Sequence, residues 1–108
     1  MSDNKNVKNF TEETFQEGIS KGMVLVDFNA VWCAPCRMLS PIIEQVAEHF
    51  KDKIVVAKVD IDNEQKVAAQ FQVTSVPTIV LFNNGKEVNR LVGLRDYEAL
   101  KDFVDKAI

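Results

Sequence analysis

Met23-Val24-Leu25-Val26-Asp27-Phe28, then Asn29-Ala30-Val31, then Trp32-Cys33-Ala34-Pro35-Cys36: this run decides the fold. Its first six residues are apolar and mostly β-branched except for Asp27, as in a strand covered on both faces of a sheet. From Pro35 to about Phe50, the residues Leu39, Ile43, Val46 and Phe50 recur at spacings of four, three and four. Met38 and Ile42 widen the stripe, which describes a long amphipathic helix. Pro35 suits the opening turn, where its missing N–H costs nothing, whereas Pro41 removes a bond to Arg37 and is expected to bend the helix there. Ile54-Val55-Val56-Ala57-Lys58-Val59 reads as a second buried strand. Strand, helix and strand over this length call for a right-handed parallel crossover, so the fold class is α/β.

Working outward, Thr11 is placed to cap a first helix with Phe15 and Ile19 facing inward, and Gly22 can end the connection beyond it. A short helix is expected from Glu64 to Phe71, carrying Val67 and Phe71 inward, after which Val76-Pro77-Thr78 leads into the apolar run Ile79 to Phe82. Asn83-Asn84-Gly85 is a hairpin signal that joins this run to an antiparallel strand from Lys86 to Val92. Gly93 marks either a bulge or a place where another backbone comes close. Tyr97, Leu100, Val104 and Ala107 define the inward face of a final helix. No repeat, low-complexity tract or linker is visible, so a single domain is expected over 1–108, with residues 1–6 as a flexible N-terminal arm.

The chain has 108 residues, 46% hydrophobic and 27% charged, enough for one real core. Net charge is −3 with a pI near 5.1, and the Lys and Arg residues are dispersed, which argues against a nucleic-acid partner. The opening stretch from Met1 to Phe10 is polar and the longest apolar runs are strand-sized. Neither a secretory h-region nor a spanning helix can be drawn, so a cytoplasmic location with no membrane association is expected. The two cysteines stand two residues apart and imply a compartment where reduced thiols are the resting state. As a staple the pair would contribute roughly 2 kcal/mol, against about 3 for a 15-residue loop, so stability does not account for it.

A Cys-x-x-Cys between a strand and a helix start brings two sulfurs within reach of each other and sets one at the positive end of the helix dipole. The first sulfur should therefore ionise more easily than a free thiol, which at a pKa of about 8.5 is only about 3% thiolate at pH 7. Lower basicity takes back part of the gain, leaving exposure, orientation and the leaving group to supply the rest of the rate. A zinc ribbon would need a second ligand pair, but no further cysteine exists and the lone His49 reads as a solvent-facing residue at the far end of the helix. Asp27 is open to two readings: a solvated carboxylate at a strand end, or a buried one with a raised pKa that can relay a thiol proton. Lys58 likewise has a solvated reading, and Trp32 a core one.

Trp32-Cys33-Ala34-Pro35-Cys36, with Val26-Asp27-Phe28 before it and Val76-Pro77-Thr78 after it, closely resembles the thioredoxin family. The likeness covers nearly the whole chain, including the Lys58 strand, the Asn84-Gly85 turn and Leu91-Val92-Gly93. It implies a thioredoxin fold, a central mixed β-sheet flanked by helices on both faces, with the dithiol at the C-terminal edge of a central strand. It further implies that Cys33 is an exposed nucleophile forming a mixed disulfide with the target, and that Cys36 is the shielded thiol that resolves it. Asp27 takes the place of a buried carboxylate beneath the dithiol, and Lys58 that of the lysine tuning it. Pro77 matches a cis-proline facing the dithiol, although an X–Pro bond taken alone is cis in only about 5–6% of cases. The Val76 backbone would pair with an extended substrate segment, and Trp32, Ala34, Pro35, Val76, Pro77 and Gly93 would form the substrate-binding surface.

The activity so implied is thiol–disulfide exchange that reduces protein disulfides, as an electron carrier in cell redox homeostasis. No bound cofactor is implied beyond the redox-active Cys33–Cys36 disulfide, and NADPH enters only through a partner, thioredoxin reductase. The other expected partners are disulfide-containing proteins, with the chain itself a monomer. The alternative is a binding module of the same fold acting without redox turnover; an oxidase or isomerase is disfavoured by the lack of an export signal. Three positions depart from the family pattern: Ala34 for the usual glycine, Asn29 for a second tryptophan, and Arg37 for lysine. They bear on redox poise and partner preference, and leave the chemistry intact.

Overall fold

Val24, Leu25, Val26 and Phe28 are all fully buried because the strand that carries them lies in the middle of a sheet with helices on both sides. A computed structural model describes residues 4–108. Its strands are β1 (Val7–Asn9), β2 (Met23–Asn29), β3 (Val55–Asp60), β4 (Thr78–Asn83) and β5 (Lys86–Val92), in the spatial order β1-β3-β2-β4-β5. β1 and β2 run parallel to β3, and β4 runs antiparallel to both β2 and β5, so the sheet is mixed as expected. The helices are α1 (Phe15–Ile19), α2 (Ala34–His49), α3 (Gln65–Gln70) and α4 (Tyr97–Asp105).

Alternation along the strands splits the core in two. Leu25, Val56, Ile79 and Leu81 face α2 and α4, meeting Leu39, Ile43, Val46, Leu100 and Val104. Val24, Val26, Phe28, Val80 and Phe82 face the other way, onto Phe15 and Ile19 of α1 and Val67 of α3. The Phe15 ring sits among the rings of Phe10, Phe28, Phe71 and Phe82, with centroids 5.2 to 6.2 Å away.

Several local expectations change. Thr11 opens a turn instead of capping α1: its N–H donates to Thr14 Oγ1 and its carbonyl accepts from Phe15, so the helix starts four residues later. Met38 is 61% exposed and lies outside the α2 stripe, beyond the angular width that the core covers. Ala107 is exposed past the end of α4, while Phe103 takes the buried place that the spacing had overlooked. The hairpin forms at Asn84 and Gly85, both with positive φ, as the Asn-Gly pair requires. The bulge falls within β5, where the register shifts opposite Leu81 and Phe82. Gly93 (φ 98°) is instead the close approach, its N–H bonding the Pro77 carbonyl at 2.8 Å. Of the expected arm, residues 1–3 lie outside the described residues, and the Asn6 amide donates to Glu48 at 2.8 Å.

Candidate active site

β2 ends at Asn29, and the chain turns through Ala30 and Val31 before entering α2 at Cys33. Cys33 is the N-cap in extended conformation, and its Sγ accepts the otherwise orphaned N–H of Cys36 at 3.1 Å. Ala34 and Pro35 form the first turn, where proline needs no donor. Cys33 and Cys36 are joined as a disulfide, their Cα atoms 5.2 Å apart. Both lie in a small cluster with Ala30, against Ile61 and Val76.

Exposure does not separate the two cysteine residues in the disulfide form, contrary to expectation: Cys33 is 4% and Cys36 5% accessible. Ala30, Ile61 and Val76 cover both residues in the disulfide form. The asymmetry lies in bonding. Cys33 Sγ alone receives the helix N–H, a donor that stabilises negative charge on that sulfur once the disulfide opens. It also sits 3.7 Å from the Val76 carbonyl oxygen.

Asp27, on β2, is 1% exposed, so its solvated reading falls. Among the described residues, neither carboxylate oxygen has a hydrogen-bond partner. Burial pushes the carboxyl up to about 7; Lys58 pulls it partly back, with a smaller pull from Asn29. The Asn29 amide bonds the Asp27 main-chain carbonyl at 3.1 Å and not the carboxylate, so we assign it little of that effect. Lys58 is the register partner of Asp27 on β3, half-buried, and its ammonium donates to Ser40 Oγ at 2.6 Å.

Apolar residues flank the disulfide. Trp32 is 66% exposed, so it is not a core residue, and its indole N–H is fixed by Asp62 at 2.8 Å. Ala34 and Pro35 are exposed, and Val76 and Gly93 half-buried. Pro77 is itself buried and its peptide bond to Val76 is cis; of the two residues, Val76 is the one that reaches the surface. Val31, Val92 and Leu94 are exposed apolar side chains that sequence reasoning did not assign to the site. Ser40 was missed as well. Among the described residues, no group of three or more His, Cys, Asp or Glu is placed to hold a metal, and no helix is long and apolar enough to cross a membrane.

The sequence matches the family profile described as thioredoxin over residues 6–106. It is 44% identical over 96 residues to the thioredoxin of Chlamydia trachomatis serovar D, covering 89% of this chain and 93% of that one. It is 38% identical over 96 residues to the thioredoxin of Bacillus subtilis strain 168, covering 89% and 92%. Among solved structures, a single-substitution mutant of thioredoxin from Halobacterium salinarum NRC-1 superposes with a TM-score of 0.87 at 37% identity, over 98% of this chain and 94% of that chain. With the fold, the Cys-x-x-Cys disulfide and these matches in agreement, the chain belongs to the thioredoxin family and is a thiol–disulfide oxidoreductase that reduces protein disulfides through its cysteine pair.

Proposed function

We propose that Cys33 is the attacking thiolate and Cys36 the resolving thiol. In the reduced protein the Cys33 sulfur displaces one sulfur of a target disulfide, which leaves as a thiolate, and a mixed disulfide forms. Cys36 then gives up its proton and attacks Cys33 Sγ; the mixed disulfide breaks, the second target sulfur departs, and Cys33–Cys36 is oxidised by two electrons in all. The observation that carries this order is the 3.1 Å bond from the Cys36 N–H to Cys33 Sγ at the start of α2. Asp27, buried and without a bonding partner among the described residues, is the acceptor for the Cys36 proton, and Lys58 adjusts how strongly it holds it.

Trp32, Ala34, Pro35 and Gly93 supply the apolar platform on which the target segment lies, and the Val76 backbone, backed by Pro77, offers it main-chain bonds. The reduced form is restored by an NADPH-dependent thioredoxin reductase. This places the protein among the electron carriers of cytoplasmic redox homeostasis, acting as a single-domain monomer on disulfide-containing proteins and not on nucleic acid. Insulin reduction by dithiothreitol should accelerate with the wild type and return to background with Cys33→Ser. Cys36→Ser should accumulate mixed disulfides with targets while Cys33→Ser does not; equal trapping by both variants overturns the assigned order.

A further inference from the structure

Asp27 and Lys58 are register partners on parallel strands, so both side chains leave the sheet on one face. It is the face covered by α2, since Leu25 and Val56, two residues earlier on each strand, pack there against Leu39 and Ile43. A half-buried ammonium beside a buried carboxyl without a partner would ordinarily close onto it, because attraction between opposite charges strengthens away from water. Here it does not. The Lys58 ammonium is bonded instead to Ser40 Oγ at 2.6 Å, and both Asp27 oxygens stay without a hydrogen bond among the described residues. Ser40 lies one helical turn beyond Cys36, on the same side of α2.

We infer that Ser40 is a positioning residue that draws the Lys58 ammonium onto α2, out of hydrogen-bond contact with Asp27, and so keeps the Asp27 carboxyl free to exchange a proton with Cys36. This rests on the reading of Asp27 as proton acceptor. The bond is charge-assisted and therefore of the stronger kind, and serine accepts it with an oxygen that carries no competing charge. The other groups facing Asp27 do not supply this control. β4 places Ile79 beside it, α2 adds Leu39 and Ile43, and α4 contributes Leu100, Val104 and the half-buried Tyr97 to the same core. On β2 itself the Asn29 amide is occupied by a main-chain carbonyl. Lys58 is the charged group that acts on the carboxyl.

The test is a carbon-13 titration of the Asp27 carboxyl in the oxidised protein, for wild type, Ser40→Ala, Ser40→Thr, Lys58→Met and the Ser40→Ala, Lys58→Met pair. With Ser40→Ala the freed ammonium should close on the carboxylate and lower the midpoint by about half a pH unit or more, roughly a threefold change in the acid-to-anion ratio at fixed pH. Ser40→Thr should restore the wild-type midpoint, Lys58→Met should raise it, and the pair should match Lys58→Met alone, because serine acts only through lysine. The pH profile of mixed-disulfide resolution by Cys36 should move with the midpoint. An unchanged or raised midpoint in Ser40→Ala, or an equal downward shift in the Lys58→Met background, overturns the role of Ser40. If Asp27→Asn resolves mixed disulfides like the wild type at every pH, the Asp27 reading fails and the functional half of the proposal with it. The titration still decides separately where Ser40 holds Lys58.

Discussion

Replacing Asp27 by Asn removes a buried ionisable group while keeping the side chain's size and shape, so the pH dependence of the resulting stability change isolates one ionisation. In the folded protein burial raises the carboxyl from 3.8 to about 7, against the pull of Lys58. The unfolded chain releases this proton near its ordinary value, whereas the folded chain keeps it until about neutrality. Wild-type stability from this group is therefore complete below the unfolded pKa, falls as pH rises through the interval, and is level above the folded pKa. Each unit is worth about 1.4 kcal/mol, so an interval of about three units amounts to about 4 kcal/mol. Other carboxylates are common to both proteins and cancel in the difference. Urea unfolding of the oxidised wild type and Asp27→Asn, from about pH 4 to about pH 9, should show the variant gaining on the wild type by about 4 kcal/mol and then holding steady, with unchanged m-values. A stability difference that is the same at both ends of the range would refute the raised ionisation of the buried Asp27 carboxyl.

Phe15→Ala, at 1% exposure among four rings, should cost about 3 to 5 kcal/mol by denaturant unfolding; a loss under about 1 kcal/mol contradicts the packing described. Gly93→Ala meets no close atom, its nearest being an Arg95 nitrogen 3.4 Å away, so its cost of about 1 kcal/mol or more comes from forcing φ 98° on a residue with a Cβ. An alanine variant as stable as wild type would show that the segment rearranges freely. Trp32 is the sole tryptophan and adjoins the disulfide, so its emission should change on reduction and stay constant in the Cys33→Ser, Cys36→Ser pair. Identical oxidised and reduced spectra would argue that the indole does not sense the sulfurs.

Strong periodicity made the framework legible. β2, α2 and β3 begin and end within a residue or so of where their apolar patterns place them, and the Asn84-Gly85 turn follows from the positive φ that few other residues tolerate. Weaker signals failed for physical reasons. Thr11 is a good cap by residue type, yet its N–H bonds Thr14 and a turn precedes the helix. Spacing carried the α4 stripe on to Ala107, but a helix stripe means nothing past Asp105, where the helix ends. In the site, Cys33, Cys36, Asp27 and Lys58 could be picked out because their residue types are unusual at those places or match a known pattern. Ser40 and Asp62 are ordinary polar residues in the chain. They acquire meaning only when β3 brings Lys58 under α2 and the loop after β3 brings Asp62 under Trp32. The near-equal burial of the two cysteines likewise depends on Ile61, which carries no mark of it in the chain, and on the side chain of Val76, a residue the family pattern marks for its backbone.

Every step of the exchange depends on Cys33 being the ionised, attacking sulfur at the start of α2. Alkylation of the fully reduced protein with iodoacetamide across pH, with the modified residue located by mass spectrometry, measures this directly. Cys33 should react first and reach half its maximal rate below the value of about 8.5 that holds for a free thiol. Reaction of both cysteines at the same rate, with the pH profile of an unperturbed thiol, would contradict it.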